Sequence, residues 1–148
     1  MIRVAERIHL EDIARVISDS VTQCIKAQES ELKAIIEDSI ASSTAFIHDG
    51  QQGVHLVYQS LGTVVGIVLI HDYWNMKSLF VLPACHRQGV ASALVEAALA
   101  ICKSNNPDGV VKLHSSTCAT AFYENAGFNP HGTPRDLPGG CIPFKYRL

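Results

Sequence analysis

The sequence has no long apolar run and no block of basic residues. The opening stretch MIRVAERIHLEDIARV interrupts its apolar positions with charges, which is typical of neither a signal-peptide core nor a membrane-spanning segment. The 148 residues carry 12 Lys and Arg against 14 Asp and Glu, a net charge of −2. We therefore expect a cytoplasmic protein whose main partner is neither a nucleic acid nor a membrane.

The spacings that mark metal and redox sites are also missing. The five cysteines include no C-x-x-C pair, and no two of the seven histidines stand at H-x-x-x-H spacing. Such pairs are the usual signature of zinc or dithiol chemistry. The sequence therefore predicts no metal site, and free thiols that are mostly buried.

What the chain does have is 47% hydrophobic residues, enough for the core of one domain over residues 1–148. Apolar periodicity predicts alternating strands and helices. The predicted strands are 2–8, 54–60, 63–72, 76–83, 110–114 and 139–148, and the predicted helices are 10–21, 30–40, 91–103 and 119–126. Residues 42–44, SST, are expected to end the second helix.

The stretch CHRQGVAS, residues 85–92, joins a predicted strand to a predicted helix. The first N–H groups of a helix are unpaired, and its dipole favours an anion there. Gly89 would let the backbone approach a ligand closely, Ala91 keeps the next turn small, and Arg87 adds positive charge. The pattern predicts a diphosphate cradle, although it is neither a Walker A loop nor G-x-G-x-x-G. From these residues alone, a glycine that only eases the turn stays an alternative.

Two motifs here resemble those of the GNAT superfamily of acetyl-CoA-dependent N-acetyltransferases. The phosphate-loop motif of that family, after a strand that ends Val-x-Pro, is matched by Val81–Pro83 and His86–Ala91. Its second signature is matched by Ala119, Phe122–Glu124 and Gly127–Phe128. The order of predicted elements resembles the family over essentially the whole chain.

The resemblance implies an α/β fold of three layers, α-β-α, with a mixed, mostly antiparallel sheet that is splayed at the cofactor site. It implies direct transfer of an acetyl group from acetyl-CoA, the cosubstrate, to a primary amine of a small molecule, an amino acid or a protein. The residues that would contact coenzyme A are Val81, His86, Arg87, Gln88, Gly89, Val90, Ala91, Ser92, Ser116, Ala119 and Tyr123. His86 and Ser116 depart from the usual family residues at their positions.

Catalytic roles follow from the same resemblance. The backbone N–H of Val81 would stabilise the oxyanion, provided that the strand splays from its neighbour. Tyr123 would protonate the leaving thiolate, since an ordinary phenol, with a pKa of about 10, is close in acidity to an alkyl thiol.

No general base is evident in the strand before Val81. The candidates to relay a proton through water are His71, Asp72 and His114, and Asn75 stands near the position where some family members have an acid. Direct transfer makes a covalent route through Cys85 or Cys118 unnecessary.

Two other functions stay open at this stage. The chain could be a non-catalytic module that senses acyl-CoA, or it could serve in an assembly. The acceptor is expected between residues 24–29 and residues 131–140, whose mixed charges do not select a substrate. The sequence leaves the amine, the acyl chain length and homodimer formation undetermined.

Overall fold

A seven-stranded sheet organises the computed structural model, which describes residues 1–148. The strands, in the sheet order β1-β2-β3-β4-β5-β7-β6, pair antiparallel except for the parallel pair β4 and β5. The strands are β1 Ile2–Val4, β2 Gly53–Ser60, β3 Thr63–His71, β4 Asn75–Val81, β5 Val110–Ser115, β6 Asn129–Pro130 and β7 Ile142–Arg147. The helices are α1 Leu10–Cys24, α2 Glu29–Asp49, α3 Val90–Asn105 and α4 Thr120–Asn125. None of these helices is long and apolar enough to cross a membrane.

Helices cover both faces of the sheet, and each face has its own core. On one face, α1 buries Ile13, Val16 and Ile17 against sheet residues such as Val57 and Ile67. The larger core on the other face includes α3 and the aromatic residues that follow it, and its members include Leu94, Val95, Ala98, Tyr123, Phe128 and Phe144. The predicted three-layer α/β fold with a mixed, mostly antiparallel sheet is therefore confirmed.

The second helix is longer than the sequence predicts. The prediction that residues 42–44 end it is wrong, because α2 continues to Asp49. The hydroxyls of Ser42 and Thr44 donate to the carbonyls of Asp38 and Ile40, four residues earlier, so that they are accommodated within the helix. The helix ends instead at Gly50, whose φ of 60° is the left-handed conformation that glycine adopts readily.

The sheet edges also differ from prediction. The first strand is Ile2–Val4 rather than 2–8, because residues 7–9 form a 3-10 turn in which Nδ1 of His9 accepts the Glu6 N–H at 3.0 Å. The last strand is Ile142–Arg147 rather than 139–148, and it pairs with β6, which the sequence did not predict. A strand of two residues has no periodicity to detect.

The sheet opens between β4 and β5. These strands pair only at Asn75 with Lys112 and at Met76 with Leu113. The β3–β4 register then shifts, since Met76 pairs with Ile70 and Ser78 pairs with Leu69, which leaves Lys77 as an extra residue in β4. A bulge of this kind bends a strand and changes which groups face its neighbour. Beyond it, β4 stays with β3 and leaves β5.

Asn106 fixes the closed end of this opening. Its side-chain amide donates to the carbonyls of Tyr73 and Val110, at 2.9 and 2.8 Å. Its side-chain oxygen accepts the N–H groups of Asp108 and Gly109, at 2.9 and 3.0 Å. One side chain therefore joins the β3–β4 turn to the start of β5, where the two strands are still paired.

We predict that Asn106→Ala lowers the free energy of unfolding by about 2–3 kcal/mol, because four hydrogen bonds lose their partner. Urea unfolding measures this value. Asn105→Ala is the matched control, since Asn105 is exposed and its side chain makes one bond within the last turn of α3. If the two variants lost equal free energy of unfolding, Asn106 would not be what joins the β3–β4 turn to the start of β5.

Candidate active site

The opening between β4 and β5 forms part of a cavity of about 560 Å³. Elements from four parts of the chain line it: the end of α1, strand β4, the loop into α3, and the segment around α4. The lining residues are Ser20, Cys24, Ile25, Leu79, Phe80, Val81, Cys85, His86, Arg87, Gly89, Val90, Ala91, Ser92, Ser116, Cys118, Ala119, Phe122 and Tyr123. Every residue predicted to contact coenzyme A lies here except Gln88.

The loop before α3 presents a row of unpaired backbone donors. No N–H from Arg87 to Ser92 has a hydrogen-bond partner, and the first bond of the helix is the one from Ala93 to the Gly89 carbonyl, at 3.0 Å. Arg87 and Gly89 have positive φ values of 64° and 80°. Successive donors in such alternating conformations form a concave anion site.

The space above Gly89 is open. A Cβ atom at this position would meet no atom within 4 Å, and the side chain of Gln88 turns away to donate to the Ala84 carbonyl at 3.4 Å. The loop therefore has both the donors and the room that a diphosphate requires, and Arg87 is one of the residues that line the cavity.

In strand β4, the backbone N–H groups of Leu79 and Val81 face the cavity. The N–H and C=O of one strand residue share an edge, and successive residues alternate. Leu82 donates its N–H to the Val65 carbonyl of β3 at 2.8 Å, so Val81 and Leu79 direct theirs to the opposite edge. Pairing with β5 has already ended there. The geometry expected for the Val81 N–H is present, and Leu79, which the sequence reasoning missed, offers a second N–H.

The Val81 carbonyl is held from two sides. Ser20 of α1 donates its hydroxyl to this oxygen at 3.0 Å, and Nε2 of His86 lies 2.9 Å from it. Ser20 is 4% exposed, so this bond is sheltered from water. The histidine that departs from the family pattern therefore has a definite place, where it links the phosphate loop to β4.

Tyr123 lies at the base of the cavity, with an exposure of 8%. Its ring packs edge-on against Phe122 and Phe128, with centroids 5.3 and 5.6 Å away. Burial raises the pKa of the Tyr123 phenol, which corrects the expectation of an ordinary phenol. The hydroxyl is a weaker acid than expected and stays protonated throughout the neutral range.

Ser116 and Ala119 line the cavity with Tyr123. The Ser116 hydroxyl is 3.3 Å from the Cys118 sulfur, whose thiol in turn reaches the Cys24 carbonyl at 3.4 Å. These contacts bring the segment before α4 against the end of α1.

The candidate bases lie outside the main cavity. His71 belongs to the other face of the sheet, where its ring is 6.1 Å from that of Phe46. Asp72 is exposed in the β3–β4 turn, and Asn75 pairs with Lys112. His114 is exposed and lines a second cavity, of about 150 Å³, that also touches Tyr123. Of the three candidates for the proton relay, His71, Asp72 and His114, only His114 adjoins the site.

The sequence prediction includes Cys24 at the end of α1 but not Ser20 within this helix. Ser20 and Cys24 follow Ile13, Val16 and Ile17 along the buried face of this helix. A serine within an apolar stripe was the available signal, since a buried hydroxyl requires a partner. Nothing in the sequence indicates that this partner is the Val81 carbonyl, 61 positions away.

The two segments expected to bound the acceptor do meet. Ile25 lines the cavity, and a Cβ on Gly139 would be 2.7 Å from its Cγ2. The Gly139 carbonyl also accepts the Thr117 N–H at 3.0 Å. The loop 131–140 therefore reaches the end of α1 at the edge of the site.

The fold is that of N-acetyltransferases. A GCN5-related N-acetyltransferase from Rhodopseudomonas palustris is similar over 100% of this chain and 95% of its own, with a TM-score of 0.85 and 17% identity. The PaiA N-acetyltransferase from Thermoplasma acidophilum, solved in complex with coenzyme A, has a TM-score of 0.77 and 16% identity, covering 100% and 98%. A ribosomal-protein-alanine N-acetyltransferase from Brucella melitensis has a TM-score of 0.76 and 16% identity, covering 100% and 99%.

Sequence comparison gives the family. The model of the acetyltransferase (GNAT) domain matches residues 21–144, so the chain belongs to the GNAT acetyltransferase family. No curated protein matches the sequence.

We predict that Gly89→Glu abolishes coenzyme A binding, because it places bulk and negative charge beside the unpaired donors. Thermal shift and calorimetry with coenzyme A measure the loss. Gly62→Glu is the matched control: Gly62 has the same φ of 80° and equally open surroundings, but it lies in the β2–β3 turn. If the folded Gly89→Glu protein kept its affinity, the diphosphate would have to bind elsewhere.

Proposed function

We propose that this protein is an N-acetyltransferase that transfers the acetyl group of acetyl-CoA directly to a primary amine. The observation that carries the proposal is the unpaired backbone edge of β4 at Leu79 and Val81, which adjoins the donor-rich start of α3. Family membership and the coenzyme A complex of a structural neighbour support the same conclusion.

Backbone groups of the chain fit the two polar parts of the cosubstrate. The N–H groups from Arg87 to Ser92 and the Arg87 guanidinium would hold the diphosphate. Leu79 and Val81 offer the strand edge from which β5 has parted, and the pantetheine would lie along it. Acetyl-CoA supplies the activated acetyl thioester.

The transfer needs a donor aimed at the thioester oxygen, where negative charge develops as the amine attacks. The Val81 N–H is our first candidate. The bonds of Ser20 and His86 to the Val81 carbonyl hold this peptide in place. A donor fixed before the reaction needs no reorganisation during it, which makes the stabilisation effective.

Tyr123 is the proposed acid for the departing thiolate. Burial raises its pKa, and a thiolate in the same desolvated cavity would also become more basic. The pKa of the phenol and that of the thiol can therefore stay close to each other, even though both are higher than in water.

A panel of amines tests the function. Release of free coenzyme A is measured for a small alkylamine, an aromatic amine, an amino acid and a peptide with a free N-terminus, and cofactor affinity is measured separately. Amine-dependent release with matching acetylated product supports the proposal. Tight binding of the cofactor without any turnover would favour the acyl-CoA sensor instead.

We predict that Tyr123→Phe lowers the rate of the chemical step by about 10² to 10⁴, with little change in coenzyme A affinity, because the ring remains and the acid is lost. Single-turnover kinetics with the best amine measure the step.

Tyr146→Phe is the control, since Tyr146 is a partly buried tyrosine of β7 whose ring packs on Phe128 at 5.1 Å. A loss below about threefold for Tyr123→Phe, with chemistry limiting, would mean that Tyr123 only packs.

A further inference from the structure

We propose that the acceptor is an apolar amine, aromatic or otherwise hydrophobic, that enters the site as its neutral base rather than as a cation. This inference names the substrate class of the acetyltransferase proposed above and rests on that function. It follows from the side chains that surround the part of the cavity away from the phosphate loop.

The acceptor part of the cavity is apolar. It lies beyond Val81, between the end of α1 and the segment before α4, where Ile25 and Phe80, which also pack on the α1 side of the sheet, contribute hydrocarbon surface. The other groups there are small and uncharged: the hydroxyls of Ser20 and Ser116 and the thiols of Cys24 and Cys118. A hydrophobic amine would find contact surface here.

The Cys24 thiol adds no negative charge. Burial, followed by the neighbouring Cys118, raises the pKa of Cys24, so this thiol stays protonated at neutral pH. The Cys118 thiol donates to the Cys24 carbonyl. The Ser20 hydroxyl likewise donates to the Val81 carbonyl.

The two side chains with a fixed charge that line the cavities are both positive. Arg87 lines the main cavity, and Lys77 lines the second one with His114. No carboxylate lines either cavity, and the Lys77 ammonium is paired with the Asp38 carboxylate at 2.6 Å. The start of α3 adds further positive potential. A protonated amine would be desolvated here without a counter-ion, which strongly disfavours it.

The basicity of an amine therefore decides what fraction of it is neutral and able to enter the site. At pH 7.5 the neutral fraction is on the order of 10⁻³ for a lysine-like amine and about a third for a peptide α-amine, whereas an aromatic amine is almost wholly neutral. Polyamines, with several cationic groups, fit this site least.

Two isomeric amines test the inference without a change of size. 4-Methylaniline is neutral at pH 7 and benzylamine is a cation, and spermidine serves as the polycation. Binding to the protein saturated with coenzyme A is measured by calorimetry. We expect 4-methylaniline to bind at least about tenfold more tightly than benzylamine at pH 7, spermidine to bind most weakly, and the gap between the isomers to close as pH rises to about 10. Binding of spermidine or benzylamine at pH 7 as tight as that of 4-methylaniline would overturn the inference.

A charge variant gives an independent measurement. Cys24→Asp places a carboxylate in the acceptor part of the cavity, and Cys24→Asn is its uncharged control. We expect the ratio of benzylamine to 4-methylaniline affinity to be at least about tenfold higher in the aspartate variant than in the asparagine variant. An unchanged ratio would count against the inference.

Turnover distinguishes this inference from the proposed function. Efficient acetylation of spermidine, with poor use of both aromatic isomers, would leave an acetyltransferase and overturn the neutral-acceptor inference. Absence of acetylation for every amine, with coenzyme A bound, would overturn both.

Discussion

The separation of β4 from β5 is the constraint on which the rest of the site depends. The two strands share only the pairs Asn75–Lys112 and Met76–Leu113, and the bulge at Lys77 then turns β4 away. A strand edge inside a protein cannot be left with unpaired backbone groups at no cost. Ser20 and His86 bond the Val81 carbonyl, and the N–H groups of Leu79 and Val81 face the cavity. The same separation that creates the space therefore also supplies the polar groups that a ligand would satisfy.

Much of the fold could be predicted because its signals are local. The β-branched runs of β2 and β3, the glycine turn between them and the apolar stripes of α1 and α3 all lie within short windows of sequence. The segments that were predicted wrongly also have physical explanations. Residues 42–44 resemble a helix end, yet the hydroxyls of Ser42 and Thr44 bond within α2. The two-residue strand β6 exists only because β7 lies beside it. Tertiary contacts decide such segments, and a sequence window does not contain them.

The candidate site divides in the same way. The phosphate loop is one continuous segment, and its residues from His86 to Ser92 could be placed from the motif, apart from the outward side chain of Gln88. The acceptor part is assembled from α1, β4 and the segment before α4. Cys24 and Cys118 meet across 94 positions of sequence. Periodicity predicts that each belongs to its own element but cannot predict that the two elements meet. The raised pKa of Tyr123 likewise depends on burial beneath several elements rather than on its neighbours in sequence.

The saturated carbonyl of Val81 has a consequence for what can occupy the opening. A carbonyl oxygen has two lone pairs, and here Ser20 and His86 occupy both. An invading β-strand, from this chain or another, needs acceptors as well as donors along its path. At Val81 it would find a donor only. At this residue the opening therefore favours ligands that offer an oxygen acceptor, and one serine and one histidine remove the acceptor that an invading strand would need there.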